Sequence, residues 1–473
     1  MLTYQDLLAV GENENDRAEF VRGLIKEHKD SALYKNAKIA DDYNRKLNTT
    51  IRLYQKLLYT VSGQAVPDNY SANFKIPSAF FPRFVTQENQ TLLANGVSWD
   101  GNNEDKLGKD FDSKLSQIGL SALVCGVAFG FYNLDHVELF PVYAKDAPCF
   151  APLYDEETGA LCAGVRFWQL DGNKPLRATL YELDGYTEYI WRQNADGEIL
   201  KEKQKYIIKA SGDQTDYAEG TLEYIGENYP VFPIVPLWGN PQHQSEIVGL
   251  REGIDCYDLI KSGFANTVDE ASLIYWTISN AGGMDDEDLV KFVEHMKTVK
   301  AAVVDEQGAS AESHAIEAPY ASREAILDRL EKDLYRDAMA VNTDDIAAGN
   351  VTATQIRAAY DALNSKVDQY ELCVIDFLQG IMAVAGIDDN PTFTRSQIVN
   401  TTEQVQTLLQ AAQYLSDDYV TKKLLDLFGD GDLAEDMLKE MDAENASRIS
   451  ELENELESAQ SKNNIETQPK EEN

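Results

Sequence analysis

From Ile356 onward the large apolar residues fall at Tyr360, Leu363, Val367, Tyr370, Val374, Phe377 and Ile381. Steps of four and three keep them on one narrow stripe, which predicts a single amphipathic helix from Thr352 to about Ala385. At about 1.5 Å per residue that helix spans roughly 50 Å, more than one element of an average globular domain needs. A second helix is predicted upstream, where SREAILDRLEKDLYRDAMA sets Ile326, Leu330, Leu334, Ala338 and Val341 at helical spacing behind Ser322 as N-cap. Between them lies a short polar loop of Asn342, Thr343, Asp344, Asp345, Ile346, Ala347, Ala348, Gly349, Asn350 and Val351. Gly349 is free to take positive φ, and Asn350 or Thr352 can cap the longer helix. Two arrangements fit this pattern: a helical hairpin inside an ordinary globular core, or a pair of rods lying against copies of themselves.

The same patterning divides the rest of the chain. Residues 1 to about 65 read as helical, with Leu24, Ile25, Leu47, Ile51, Tyr54, Leu57 and Leu58 as apolar contacts, and a further helix is predicted from about Pro82 to Ala94. The run IGLSALVCGVAFGFYNL, Ile118 to Leu134, is as long as a short membrane span, which needs roughly 17 to 25 residues. Its glycines, its strand-like end and the polar residues after it favour a buried helix running into a strand, and no membrane partner is expected. Between Phe129 and Trp238 the chain turns to β-branched and aromatic runs punctuated by Thr158-Gly159, Asp171-Gly172, Asp184-Gly185 and Asp196-Gly197. Such pairs supply tight hairpin turns, so a meander of antiparallel strands is predicted. Its aromatics, Trp168, Tyr181, Tyr186, Tyr189 and Trp191, read as cross-strand pairs in preference to base-stacking or sugar-binding groups.

A third helical pattern begins at Glu246, with Leu250, Ile254, Tyr257, Ile260, Phe264 and Val268 spaced by three or four. Beyond it a small α/β insert is predicted: strand-like SLIYWTIS, helical DDEDLVKFVEHMKTV, and strand-like AAVVDE. Asp418 to Glu444 reads as helical with an interruption at Gly429 to Asp432. After Ala446 the polar, mostly acidic chain predicts a frayed tail, because Ile449, Leu452 and Leu456 give barely two turns of heptad spacing.

With 473 residues the chain exceeds one compact core, so several domains or a multi-part subunit are expected. A formal net charge of −38 argues against a protein that grips nucleic acid, since each phosphate contact needs a Lys or Arg. The acidity also serves solubility, and that explanation fits the sign equally well. Cys125, Cys149, Cys162, Cys256 and Cys373 form no CxxC pair and read as small core residues of a cytosol-assembled protein. The first residues, MLTYQDLLAVGENEND, lack a basic start followed by an apolar block, so no secretory signal is expected.

No catalytic signature rises above background. GxxxxGK[ST], HExxH, GxSxG and paired Cys/His metal spacings are all missing, so no enzyme, no cofactor and no metal site are expected. The histidines His28, His136, His243, His295 and His314 read as solvated. Asp430, Asp432, Glu435 and Asp436 lack EF-hand spacing and read as a turn with a helix cap; Asp344 and Asp345 read as solvent-facing charge.

The run AGNVTATQIRAAYDALNSKVDQYE resembles the tunnel-loop and long-helix region of tailed-bacteriophage portal proteins of the SPP1-like group. Further segments agree in order: FPIVPLWGN (Phe232 to Asn240), then Ile254 to Asp258 and Ser262 to Asn266, resemble the Pro-rich strand and first stem helix. APLYDEETGALCAGVRFW resembles the wing hairpin, and FTRSQIVNTTEQVQTLL (Phe393 to Leu409) the strand and helix near the crown. Together the matches cover most of residues 30 to 445.

The resemblance implies an α+β, mainly α fold with a β-rich wing, helical stem, small α/β clip and helical crown. On that scheme residues 1–245 are the wing, 246–270 a stem helix, 271–320 the clip and 321–341 the second stem helix. Residues 342–351 form the tunnel loop, 352–400 the long helix and its return to the wing, 401–445 the crown, and 446–473 an acidic disordered tail. It further implies a homo-oligomeric ring, a dodecamer, at one capsid vertex of the virion, assembled in the host cytoplasm. Double-stranded DNA would pass through its channel during packaging and ejection. Its implied partners are the large subunit of the terminase motor, then head-completion or tail adaptor proteins, and the major capsid and scaffolding proteins. Twelve copies would carry roughly −450 charges, which suits a bore that must let DNA slide. A structural adaptor or minor capsid protein that forms no channel is the alternative.

Overall fold

The computed structural model describes residues 2–59, 63–69, 71–192, 196–211, 223–271, 275–279, 287, 310–314, 320–344, 353–396, 401–428 and 431–466. The chain is mainly α with antiparallel sheets, and it forms two units, one of residues 1–342 with 360–396 and one of residues 343–359 with 397–473.

The first unit opens with helices α1 (Tyr4–Val10), α2 (Glu14–Asp30), α3 (Ala32–Asn44) and α4 (Thr49–Leu53). Each of the first three starts where a short polar side chain satisfies amides of the first turn: Thr3 in a capping box with Asp6, Asn13 on Asn15 and Asp16, and Ser31 on Tyr34. Helical structure then stops earlier than the spacing predicts. Tyr54 turns extended (ψ 128°), and Leu57 falls in a two-stranded ribbon of β1 (Leu57–Tyr59) and β2 (Ala65–Pro67). An extended segment leads to α5 (Phe80–Leu93), β3 (Val97–Ser98), α6 (Glu104–Leu107) and α7 (Phe111–Cys125).

At Gly126, φ is +92° and a Cβ would lie 2.9 Å from the Gln244 backbone, so only glycine fits where α7 ends and β4 (Val127–Asn133) begins. This is the buried helix-to-strand run predicted for residues 118–134, and among the described residues no helix is long and apolar enough to cross a membrane. After β5 (His136–Pro141) come β6 (Cys149–Tyr154), β7 (Leu161–Trp168), β8 (Leu176–Glu182), β9 (Gly185–Trp191) and β10 (Gly197–Gln204), an antiparallel meander in the order β10-β9-β8-β7-β6. The ribbon of β11 (Ile207–Ser211) and β12 (Glu223–Glu227) precedes β13 (Ile234–Trp238), which completes a second sheet, β13-β4-β5.

One face of the meander packs against α1 and α2, joining Leu7, Val21, Leu24 and Ile25 to Ala151, Val165, Leu180 and Tyr189. Of the aromatics expected to pair across strands, Tyr181 and Tyr186 do so as register partners with ring centroids 6.1 Å apart, whereas Tyr189 stacks on Trp191 of the same strand and Trp168 stands opposite Arg177. His28 is not solvated. Only 4% exposed, it lies edge-on to Tyr34 and Phe167 with Nε2 3.3 Å from the Val142 carbonyl, and burial depresses its pKa to about 4. Cys125 and Cys149 are core residues, whereas Cys256 is exposed on α8 (Arg251–Ala271).

Beyond α8, β14 (Tyr275–Ser279) pairs antiparallel with β15 (Ser310–His314), a strand the apolar pattern does not mark because SAESH is polar. Of the predicted helix at 285–299 only residue 287 is described, and the strand-like residues 301–306 lie outside the described set. Helix α9 (Tyr320–Asp337) starts two residues before Ser322, which therefore does not cap it, and ends four residues before Val341 because Met339 adopts φ +54°. Helix α10 runs Ala353–Ala385, as its spacing predicts, and β16 (Thr392–Phe393) returns to pair with β3. Tyr360, Leu363, Val367, Tyr370, Val374, Phe377 and Ile381 are all at most 5% exposed. The helix approaches close enough that a Cβ at Gly130 would lie 2.5 Å from the Phe377 ring, so β4 needs glycine there.

The second unit holds α11 (Thr401–Ala411), α12 (Asp417–Phe428) and α13 (Ala434–Glu466), with 3₁₀ turns at Ala412–Tyr414 and Gly431–Leu433. Helix α13 continues past Ala446, where a frayed tail was expected, to Glu466. Its residues there, SRISELENELESAQSK, are mostly strong helix formers, whose summed propensity favours a helix.

Candidate functional site: the base of the loop between α9 and α10

Helix α8 presents an unusual buried stripe: Ile254, Asp258, Ser262 and Asn266, in steps of four, are all buried although three are polar. Each polar side chain accepts from a backbone N–H of the extended segment before α5. Phe74 N donates to Asn266 Oδ1 (2.6 Å), Ile76 N to Ser262 Oγ (3.0 Å) and Ser78 N to Asp258 Oδ1 (2.8 Å). Asn48 Nδ2 also donates to Asp258. Burial raises the Asp258 pKa, and these donors oppose it. The apolar side of α8 meets α9 so closely that a Cβ at Gly253 would fall 2.9 Å from Leu334 Cδ2. Phe80 and Phe84 of α5 contact the Tyr335 ring edge-on, and Arg323 Nη1 donates to Thr267 Oγ1 at 2.7 Å. Helix α9 is therefore fixed to α8 along its length.

Where α9 ends, its exit is clamped. Ala340 N donates to Tyr335 O (2.9 Å). The Gln87 amide then grips Val341 twice: Nε2 donates to Val341 O (3.1 Å), and Val341 N donates to Oε1 (3.0 Å). Beside this clamp, Lys366 of α10 extends Nζ between Glu88 Oε2 of α5 (2.7 Å) and Glu246 Oε2 before α8 (2.6 Å), and donates to Ala338 O at 3.4 Å. Glu246 is held by Asn240 Nδ2 (2.7 Å) and by its own N–H on Leu123 O (3.1 Å). Gly249, with φ +87°, turns the chain here, so α8 begins at Arg251 and leaves Glu246 outside the helix where the sequence pattern had put it inside.

Two carboxylates share one ammonium, and Glu88 is only 1% exposed. Burial, reinforced by Glu246 and opposed by Lys366, lifts the Glu88 pKa to about 7. Burial pulls Lys366 down, but the two carboxylates outweigh it and its pKa is raised. The knot thus carries one proton more or less across neutral pH. Tyr370, one turn along α10, donates to Asn89 Oδ1 at 2.9 Å and fills the space over Gly119. A cleft of about 310 Å³ opens on this knot, lined also by Asp337, Met339 and Gln369.

Of the loop residues singled out in the sequence, Asn342, Thr343 and Asp344 are described; Asp345, Ile346, Ala347, Ala348, Gly349, Asn350 and Val351 lie outside the described residues. Gln87, Glu88, Glu246 and Lys366 carry no sequence signal of their own, while the α8 stripe falls in segments that the family resemblance marks but whose buried polar role it does not. Among the described residues no group of three or more His, Cys, Asp or Glu is placed to hold a metal ion. The arrangement around the loop's base can take up or release a proton near neutral pH.

A family profile described as "Phage portal protein, SPP1 Gp6-like" matches residues 23–451. The portal protein of Clostridium phage phiCD119 is 22% identical over 324 residues, covering 63% of this chain and 68% of that protein. The portal protein of Bacillus phage SPP1 is 22% identical over 416 residues, covering 82% and 79%. Among solved structures, the neck of a native gene transfer agent particle computed with C12 symmetry is similar at 10% identity (73% of this chain, 89% of that chain, TM-score 0.38). The neck of an empty particle computed with C6 symmetry is similar at 12% identity (74% and 90%, TM-score 0.42).

Proposed function

Since the chain belongs to the SPP1 Gp6-like family of phage portal proteins, we propose that its copies close into a ring, a dodecamer, at one capsid vertex of the virion and surround double-stranded DNA. The ring is the channel for packaging and ejection, and it docks first the large terminase subunit and then head-completion or tail adaptor proteins. In this reading residues 246–270 and 321–341 serve as stem, 271–320 as clip, 1–245 and 352–400 as wing, and 401–445 as crown. The work is mechanical and electrostatic, with no covalent step.

The observation that carries the reading is the anchorage of the loop's base: the chain reaches residue 342 through Val341, held by Gln87, beside an ammonium held by two carboxylates. In this reading such a base holds the exit of α9 in register as duplex passes. A net charge of −38 per copy supports sliding over gripping, because phosphate contacts by Lys or Arg would add affinity and stall movement.

Deleting Ala347 to Gly349 tests the loop's part. The expected result is packaging of DNA into heads that then retain less of it; unchanged packaging and retention remove the loop from the mechanism. A projection image of the purified assembly tests the channel itself, which falls if no axial opening is present.

A further inference from the structure

The knot beside the loop's base is out of charge balance. Glu88 Oε2 and Glu246 Oε2 stand 2.7 and 2.6 Å from a single ammonium, so with both carboxylates ionised an excess negative charge is left among buried groups. Among the described residues no second Lys or Arg lies within ion-pair distance of either. The other groups that face Glu88 offer no compensation. From α10 comes Tyr370, whose phenol burial holds well above its ordinary range and therefore neutral. From α9 comes Asp337, a further carboxylate on the same cleft, and α7 presents the uncharged Ser116 and Gly119 to the adjoining Asn89. Two like charges confined with one opposite charge favour uptake of a proton by the more buried of them, here Glu88.

The same stretch of structure holds the end of α9. Gln87, the residue before Glu88, grips the N–H and the carbonyl of Val341, and Lys366 Nζ donates to Ala338 O. Between these holds Met339 keeps φ at +54°, a left-handed conformation that a non-glycine residue adopts only while its surroundings impose it. The cleft of about 310 Å³ reaches Glu88, Glu246, Lys366, Ala338 and Met339 together. A proton can therefore come from solvent and return to it without unfolding of the unit.

We propose that the knot is a proton-operated latch on residues 338–341. With Glu88 protonated, Lys366 and Glu246 form a balanced pair and Gln87 keeps Val341 seated. With Glu88 ionised, the excess charge favours an open state in which residues 338–341 lift off Gln87 and Lys366, Met339 relaxes, and water reaches Glu88 through the widened cleft. Burial, reinforced by Glu246 and opposed by Lys366, lifts the pKa of Glu88 to about 7 in the closed state, against 4.5 when it meets water. The latch therefore holds best below about pH 4.5, weakens as pH rises to 7 and levels off above it, a change of about 300-fold in the open population. It belongs to a single copy of the chain and holds whether or not copies close into a ring.

Amide exchange of the full chain, read by mass spectrometry at pH 5.5 and 8.5 and corrected for the intrinsic rate, tests this. The N–H groups of Met339, Ala340 and Val341 donate to Arg336 O, Tyr335 O and Gln87 Oε1. Their protection is expected to fall about 30-fold between the two pH values. The fall should be insensitive to urea up to about 1 M, the mark of local opening. Glu88→Gln should abolish it. Glu246→Gln, which leaves Glu88 and Lys366 as a balanced pair, should shrink it by moving it to lower pH, and decides alone if Glu88→Gln does not fold. A wild type whose protection at 339–341 does not fall, or falls only in step with urea-sensitive global unfolding, overturns the latch. So does either variant that falls like the wild type. Each of those results leaves the ring reading standing, whereas an assembly without an axial opening overturns the ring and leaves the latch in place.

Discussion

Replacing Lys366 by methionine isolates what the buried knot at the loop's base contributes. In the wild type Glu88 has a folded-state pKa of about 7, set by burial, reinforced by Glu246 and opposed by Lys366, against an ordinary 4.5. The fold therefore favours protonated Glu88: this stability is complete below about pH 4.5 and is lost as pH rises to 7, on the order of 3 kcal/mol in all. Lys366→Met removes the one neighbour that lowers this pKa, so the loss extends to higher pH. Above neutrality the variant must keep a carboxylate 1% exposed beside a second one with no cation between them. Breaking a buried pair in this way costs about 3–5 kcal/mol. At pH 5.5 Glu88 is already neutral in the wild type, so only the Lys366–Glu246 contact is forfeited and the deficit is smaller than at pH 8.5. Equilibrium urea unfolding at pH 5.5 and 8.5, followed by tryptophan fluorescence, reads this directly, because all five tryptophans lie in the first unit. Glu88→Gln is the control and should match or exceed the wild type at pH 8.5. Equal deficits for Lys366→Met at the two pH values would refute the shared-proton argument.

Asp258→Ala removes an acceptor from two donors on a fully buried rung, Ser78 N and Asn48 Nδ2, and should cost about 2–4 kcal/mol, seen as a lower urea midpoint and faster amide exchange around residues 74–78. His28, whose pKa is depressed to about 4 by burial, supplies stability that is intact above pH 6.5 and drains as pH falls towards 4. His28→Phe should flatten acid destabilisation over that range by up to about 3 kcal/mol, measured as unfolding midpoint against pH.

What the sequence disclosed and what it hid follow from range. The stripe from Tyr360 to Ile381 was legible because helical spacing is local, and every one of those residues is buried. The strands of the meander were legible from their turn pairs for the same reason. Asp258, Ser262 and Asn266 were not: polar residues at helical spacing look solvent-facing, and their partners stand about 180 to 190 residues away. Glu88, Glu246 and Lys366 come from three separate stretches and meet only in the fold. The end of α9 was misplaced at Val341 because Met339, a residue with no turn preference, takes the left-handed conformation that ends the helix, and its start was misplaced at Ser322, which lies two residues inside it. His28 was misread since its neighbours in sequence, Lys26, Glu27 and Lys29, are charged while its neighbours in space are rings.

The rungs joining α8 to residues 74–78 behave as a vernier. Four residues of helix advance about 6.0 Å and two of extended chain about 6.6 Å, so successive marks drift by roughly 0.6 Å and can coincide only over a few steps. Three coincide here, with Pro77, which has no N–H to place, between the last two. Such a scale has one setting. Inserting a single residue between Phe74 and Ser78 turns the donors beyond it to the opposite side, so the axial position of α8 is dictated by a segment that belongs to no sheet.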